Sequence, residues 1–136
     1  MYETFDHTAD VGLRVRAPDL NQLFADAGQG LFSLLVADLA TVRCAQSMAF
    51  AATASSYDDL LFDWLAELLY TFDTERVLLR EFEVQVEGFA LKATAHGEPL
   101  DPRRHELDME VKAVTYHGLK VERTDDGWLA EVILDL

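Results

Sequence analysis

The apolar residues of this chain change their period along its length, and that change constrains the fold more than any single motif. Val11-Gly12-Leu13-Arg14-Val15-Arg16 alternates apolar with polar positions, as a half-buried strand does, and Pro18-Asp19 then ends it. From Leu20 the spacing becomes helical. Leu20, Leu23, Phe24, Ala27, Leu31, Leu34 and Leu35 share one face, with Asp19 as N-cap and Gln22 three positions later in a capping-box arrangement. Gly28 and Gly30 interrupt that helix, which predicts another backbone packed close to it. A second helix is predicted from Ser56, with Asp59 in its third position, burying Leu60, Leu61, Trp64, Leu65, Leu68, Leu69 and Phe72. Its acidic face, Asp58, Asp59, Asp63 and Glu67, reads as solvated and favoured by the helix N-terminal dipole.

Elsewhere the pattern is that of strands: residues 43–54, 79–87, 89–95, 110–115, 119–123 and 128–134. Asp126-Gly127 predicts a two-residue hairpin with positive φ at both turn positions, and Gly88 marks another turn. With no repeat or interdomain linker, the 136 residues predict one α+β domain spanning 1–136. Two helices are expected on one face of a largely antiparallel or mixed β-sheet.

Charge narrows the functional classes. Eleven Lys and Arg against twenty-five Asp and Glu give a formal charge of −14, which disfavours direct grip on a polyphosphate backbone. No apolar run approaches the length of a membrane helix, and no signal-like segment opens the sequence. The single Cys44 excludes an internal disulfide, so a cytoplasmic protein is expected.

The candidate chemistry lies at the two ends. His7-Thr8-Ala9-Asp10 opens the first alternating strand, and Asp135-Leu136 closes the last one. If those strands pair, Asp10 and Asp135 come together, and two close carboxylates repel unless they share a proton or a cation. Such oxygen donors suit Ca²⁺, Mg²⁺ or Mn²⁺, whereas zinc would want imidazole or thiolate. From spacing alone, a turn or capping role for Asp10 remains open. His7, His96, His105 and His117 form no zinc spacing with one another. Lys112 stands in a strand pattern where alternation would turn it toward the face of Glu110, and Arg103-Arg104-His105 is the densest basic cluster, a candidate contact for phosphate or an acidic protein surface. There is no Gly-rich phosphate loop, no His-Glu-x-x-His helix and no nucleophile elbow, and Cys44 reads as structural.

Taken in order, Asp6-His7-Thr8-Ala9-Asp10-Val11-Gly12, Phe72-Asp73-Thr74-Glu75, His105-Glu106-Leu107-Asp108, Glu110 through His117, and Gly127-Trp128 through Asp135-Leu136 resemble the archease family over nearly the whole chain. That resemblance implies an accessory protein with no catalytic residues of its own. Its partner would be the GTP-dependent RNA ligase that joins 2′,3′-cyclic-phosphate or 3′-phosphate ends to 5′-hydroxyl ends, as in tRNA splicing. The accessory would promote guanylation of the ligase's histidine and repeated turnover, meeting RNA only through the ligase. By the same resemblance, Asp10, Asp135 and the backbone or terminal oxygen of Leu136 hold a divalent metal, Ca²⁺ in crystals and Mg²⁺ or Mn²⁺ as alternatives. Lys112 then supports activity and His7 orients the site. Two other readings stay open: a stand-alone metal-dependent hydrolase or phosphotransferase using Asp10 and Asp135, and an acidic chaperone-like adaptor without metal.

Overall fold

The computed structural model describes residues 1–7 and 9–136, with the side chain of His7 outside that description. The elements follow in the order β1 (Tyr2–His7), β2 (Asp10–Ala17), α1 (Leu20–Leu35), a 3₁₀ turn (Leu39–Thr41), β3 (Gln46–Thr53), α2 (Tyr57–Glu75), β4 (Val77–Glu87), β5 (Ala90–Pro99), β6 (Ala113–Val114), β7 (Lys120–Thr124) and β8 (Gly127–Asp135). This is the expected α+β class, and the strand pairs are antiparallel. The strands divide into two sheets. One runs β1-β2-β8-β6 with β7 also on β8, and the other runs β3-β5-β4. Helix α1 packs on both sheets, touching β2 and β4, and α2 lies beside it against strands of each. No helix among the described residues is long and apolar enough to cross a membrane.

Local chemistry explains the helices. Asp19 caps α1 by accepting the Gln22 N–H at 2.8 Å, but the Gln22 side chain reaches Asp26 at 2.7 Å, so only half of the capping box forms. Ser56 caps α2 through the Asp59 N–H at 3.1 Å. The predicted apolar stripes are buried, apart from the half-buried Leu20 at the rim. Gly28 and Gly30 face side chains, not another backbone: Phe82 and Leu68 lie over the first, and Leu13 over the second.

Trp64 anchors the centre, donating its indole N–H to the Phe24 carbonyl at 2.9 Å and meeting Phe50 and Phe82 edge-on. Truncating a buried side chain in such a cluster typically costs about 2–5 kcal/mol.

Three strand expectations change. Tyr2–His7 forms β1, which its mixed polar sequence did not announce; Phe5 closes over Gly12, where any Cβ would fall 2.1 Å from its ring. Of residues 110–115 only Ala113–Val114 is strand, because Val111 and Val114 both enter the core three positions apart, a spacing that period-two backbone does not allow. In the β7–β8 hairpin Thr124 pairs with Gly127, so the turn is Asp125-Asp126, neither at positive φ. Gly127 itself has φ +151°, and a Cβ there would lie 2.3 Å from the Ala17 carbonyl oxygen.

Candidate functional site

Strand β2 begins and strand β8 ends at the same end of the larger sheet. In their antiparallel register Asp10 stands directly opposite Asp135, Val11 opposite Leu134 and Leu13 opposite Val132. Val11, Leu13, Val132 and Leu134 point into the core, so alternation turns both aspartates to the opposite face, together with Arg14 and Glu131. Residues paired this way have Cβ atoms roughly 4.5–5.5 Å apart, and like charges there are destabilising. Both aspartates are half-buried.

Two further segments converge on this point. Ala113 flanks Asp135 on its other side, and the Lys112 N–H donates to the Asp135 carbonyl at 2.7 Å. The backbone of His7 lies opposite Asp10 across β1–β2. Three stretches remote in sequence, the β1–β2 turn, the start of β6 and the end of β8, therefore meet within one corner of a sheet. The side chain of Lys112 is exposed, while Leu136 is half-buried against the core. Thr8 and the side chain of His7, expected to orient the site, lie outside the described residues.

Ala9 has φ +58°, a left-handed conformation that costs a non-glycine residue roughly 1–2 kcal/mol. That strain sits immediately before Asp10. No sequence signal marked it, since alanine is not a turn residue.

The donor set is chemically selective. Two carboxylates on adjacent strands offer hard oxygen ligands, which fit Mg²⁺, Ca²⁺ or Mn²⁺ and not a thiolate-seeking metal. Among the described residues no group of three or more His, Cys, Asp or Glu side chains forms a complete cation cage. A cation at this corner would therefore draw its other ligands from Leu136, water or a docked molecule.

Around the pair, the same sheet face carries balanced charge. Arg14 Nε bonds Glu131 at 2.5 Å, Lys120 reaches it at 3.2 Å, and the Arg14 guanidinium lies 4.7 Å from the centre of the Phe5 ring. Burial alone would raise the Glu131 carboxyl; the hydrogen bonds from Arg14 and Lys120 hold it below the usual carboxylate range instead.

The other candidates resolve into structural roles. Of the basic cluster, Arg104 and His105 turn inward to Glu98, which is only 7% exposed, leaving Arg103 as its exposed member. His105 Nδ1 accepts the Asp101 N–H at 2.9 Å, so Nε2 carries the proton and donates to Glu98, also at 2.9 Å. The guanidinium of Arg104, then the Arg43 N–H and His105, hold the Glu98 carboxyl down to about 2 against the opposing effect of burial. His96 pairs with Glu83 at 2.8 Å, and exposed His117 sits in the turn after β6. Asp58, expected on the solvated face of α2, accepts the Val121 N–H at 2.7 Å and so pins β7. Cys44 is exposed just before β3, and partial loss of hydration with the nearby Glu81 carboxylate pushes its thiol up, away from nucleophilic reactivity.

Comparison with known proteins agrees over the full length. The family model of the Archease protein family matches residues 2–136. Protein archease of Methanopyrus kandleri is 40% identical over 139 residues, covering 99% of each chain, and that of Pyrococcus abyssi is 37% identical, covering 99% of this chain and 98% of its own. The solution structure of protein 1598 of Methanobacterium thermoautotrophicum shares 36% identity and a TM-score of 0.87, covering 99% of this chain and 98% of its own. An archease of Thermotoga maritima described as a possible chaperone shares the fold alone, at 22% identity and a TM-score of 0.68 over 100% of this chain and 98% of its own. On sequence and fold together, this chain belongs to the archease family.

Proposed function

We propose that this protein is a cytoplasmic accessory factor that activates a GTP-dependent 3′-phosphate/5′-hydroxyl RNA ligase of tRNA splicing or RNA repair, with no catalytic residues of its own. The observation that carries the reading is the direct opposition of the half-buried Asp10 and Asp135 at one end of the larger sheet, beside the Lys112 backbone. Two hard donors beside an exposed lysine offer ligands without completing a cation cage among the described residues, as a contribution to another protein's active site would.

In this mechanism the corner bearing Asp10, Lys112 and Asp135 enters the ligase active site. Asp10, Asp135 and an oxygen of Leu136 would hold a divalent cation, Ca²⁺, Mg²⁺ or Mn²⁺, which when bound offsets their mutual repulsion and offers a Lewis acid to phosphate oxygens. Lys112 contributes an ammonium toward triphosphate, and His7 orients the corner. The paired β2 and β8 backbones keep the two carboxylates in register while Asp135 is held from both flanks. GTP is thereby positioned for attack by the ligase's own histidine. The charge of −14 suits docking beside a cationic RNA- and GTP-binding surface, leaving RNA contact to the ligase.

The test is guanylation and multiple turnover of a purified cognate ligase with and without this protein. Stimulation should vanish in Asp10→Asn and Asp135→Asn variants whose circular dichroism stays native and which melt no lower than wild type. An active ligase whose turnover the wild-type chain leaves unchanged would refute the proposal. Substrate turnover by the chain alone would favour a stand-alone hydrolase or phosphotransferase. Full stimulation by both variants would favour a metal-free adaptor.

A further inference from the structure

Among the sheet edges of the described residues, one is chemically unlike the rest. β3 reads Gln46-Ser47-Met48-Ala49-Phe50-Ala51-Ala52-Thr53, eight residues without a charge or a proline in a chain of net charge −14. Native edges are usually guarded by charge, proline or a covering element. Here β1 carries Glu3 and Asp6, β6 is only two residues long, β7 carries Lys120, Glu122 and Arg123, and β4 is both charged and covered by α1, where Asn21 accepts the Val86 N–H at 2.8 Å and Gln29 donates to the Arg80 carbonyl at 3.3 Å.

The free edge has a defined chemistry. Ala54 donates to the Phe89 carbonyl, so in the alternating antiparallel ladder the even residues of β3 bond to β5. Ser47, Ala49, Ala51 and Thr53 consequently direct their N–H and C=O groups away from the sheet. Their side chains are small and exposed, leaving the approach of another strand sterically open.

We infer that β3 pairs antiparallel with β3 of a second copy about a two-fold axis at Phe50, joining the two three-stranded sheets into one of six strands. The register is self-complementary. It opposes Phe50 to Phe50 as a non-hydrogen-bonded aromatic pair, Ser47 to Thr53, and Ala49 to Ala51, with no like charges facing each other. Flanking charge favours the same orientation. Exposed Arg43 precedes the strand and Asp58 and Asp59 follow it, so antiparallel pairing carries each Arg43 toward the acidic start of the partner's α2, whereas parallel pairing would align like with like. The corner bearing Asp10 and Asp135 lies in the other sheet and remains uninvolved.

Sedimentation equilibrium over a concentration series tests this directly. The wild-type chain should show a monomer–dimer equilibrium. Ala49→Glu with Ala51→Glu, at exposed positions opposite Thr94 and Lys92 of the same sheet, should leave the melting transition native and the protein monomeric, because carboxylates then face each other at both pairs. Ala49→Lys with Ala51→Glu places opposite charges across the axis and should restore the dimer. A wild-type chain monomeric to millimolar concentration, a dimer that survives the double-glutamate change, or a Lys/Glu variant that stays monomeric would each overturn the inference.

Discussion

Replacing Glu98 by Gln removes the charge on which three segments converge, and the size and pH dependence of the loss follow from the geometry. The carboxylate accepts from the Arg43 backbone N–H at 2.7 Å, from Arg104 and from His105, tying the turn before β3 to the loop after β5. Its carboxyl is held at about 2, against an ordinary 4.5. At 1.36 kcal/mol per pK unit, the ionised form contributes about 3 kcal/mol to folding at neutral pH. Arg104 is partly solvated, which trims the expected cost of Glu98→Gln to about 2–3 kcal/mol, or roughly a 10 °C fall in Tm for a domain of this size.

The sign of the pH dependence is set by the lowered folded value. The contribution is complete above the unfolded carboxyl's value near 4.5 and is lost as pH falls toward 2. Urea titrations of wild type and variant at pH 7, 4 and 3 should therefore give a gap in unfolding free energy that narrows steadily with acid. A gap of equal size at all three pH values would show that packing, not charge, is lost. No gap at neutral pH would refute the network's role altogether.

Other consequences concern the backbone and the aspartate pair. Gly97→Ala would place a Cβ 1.8 Å from the Leu78 carbonyl oxygen, so urea unfolding should show a loss of at least about 3 kcal/mol, or no folded protein at all. Ala9→Gly relieves the left-handed strain before Asp10 but frees the unfolded chain, for a net gain of about 0.5 kcal/mol in the same assay; a loss would mean that the alanine methyl packs against the turn. Asp135→Asn should raise the metal-free stability by up to about 1 kcal/mol by removing one of two facing like charges, and should abolish any rise in Tm on adding Ca²⁺, Mg²⁺ or Mn²⁺. Differential scanning calorimetry with chelator and with each metal would separate the two effects, and an unchanged metal response would remove Asp135 from the proposed ligand set.

What the amino-acid sequence determined by itself was whatever depends on neighbours a few residues away. Asp19 and Ser56 announce their helices because a cap bonds an N–H three positions on, and the stripes of α1 and α2 are legible because 3.6-residue spacing repeats the same face. Strand alternation located most of the strands on the same grounds, and Asp10 and Asp135 stood out as carboxylates at strand ends. Only the tertiary structure decided the partition into two sheets, the register that sets Asp10 against Asp135, and the inward turn of Arg104 and His105 to Glu98. Arg103-Arg104-His105 looked like a surface cluster because its acidic partner lies on the preceding strand, beyond a proline-containing loop. Likewise, the edge of β3 is visible only when one knows which strand is last in its sheet. Pairing and burial join groups by distance in space, and a linear pattern carries that distance only where the chain is its own nearest neighbour.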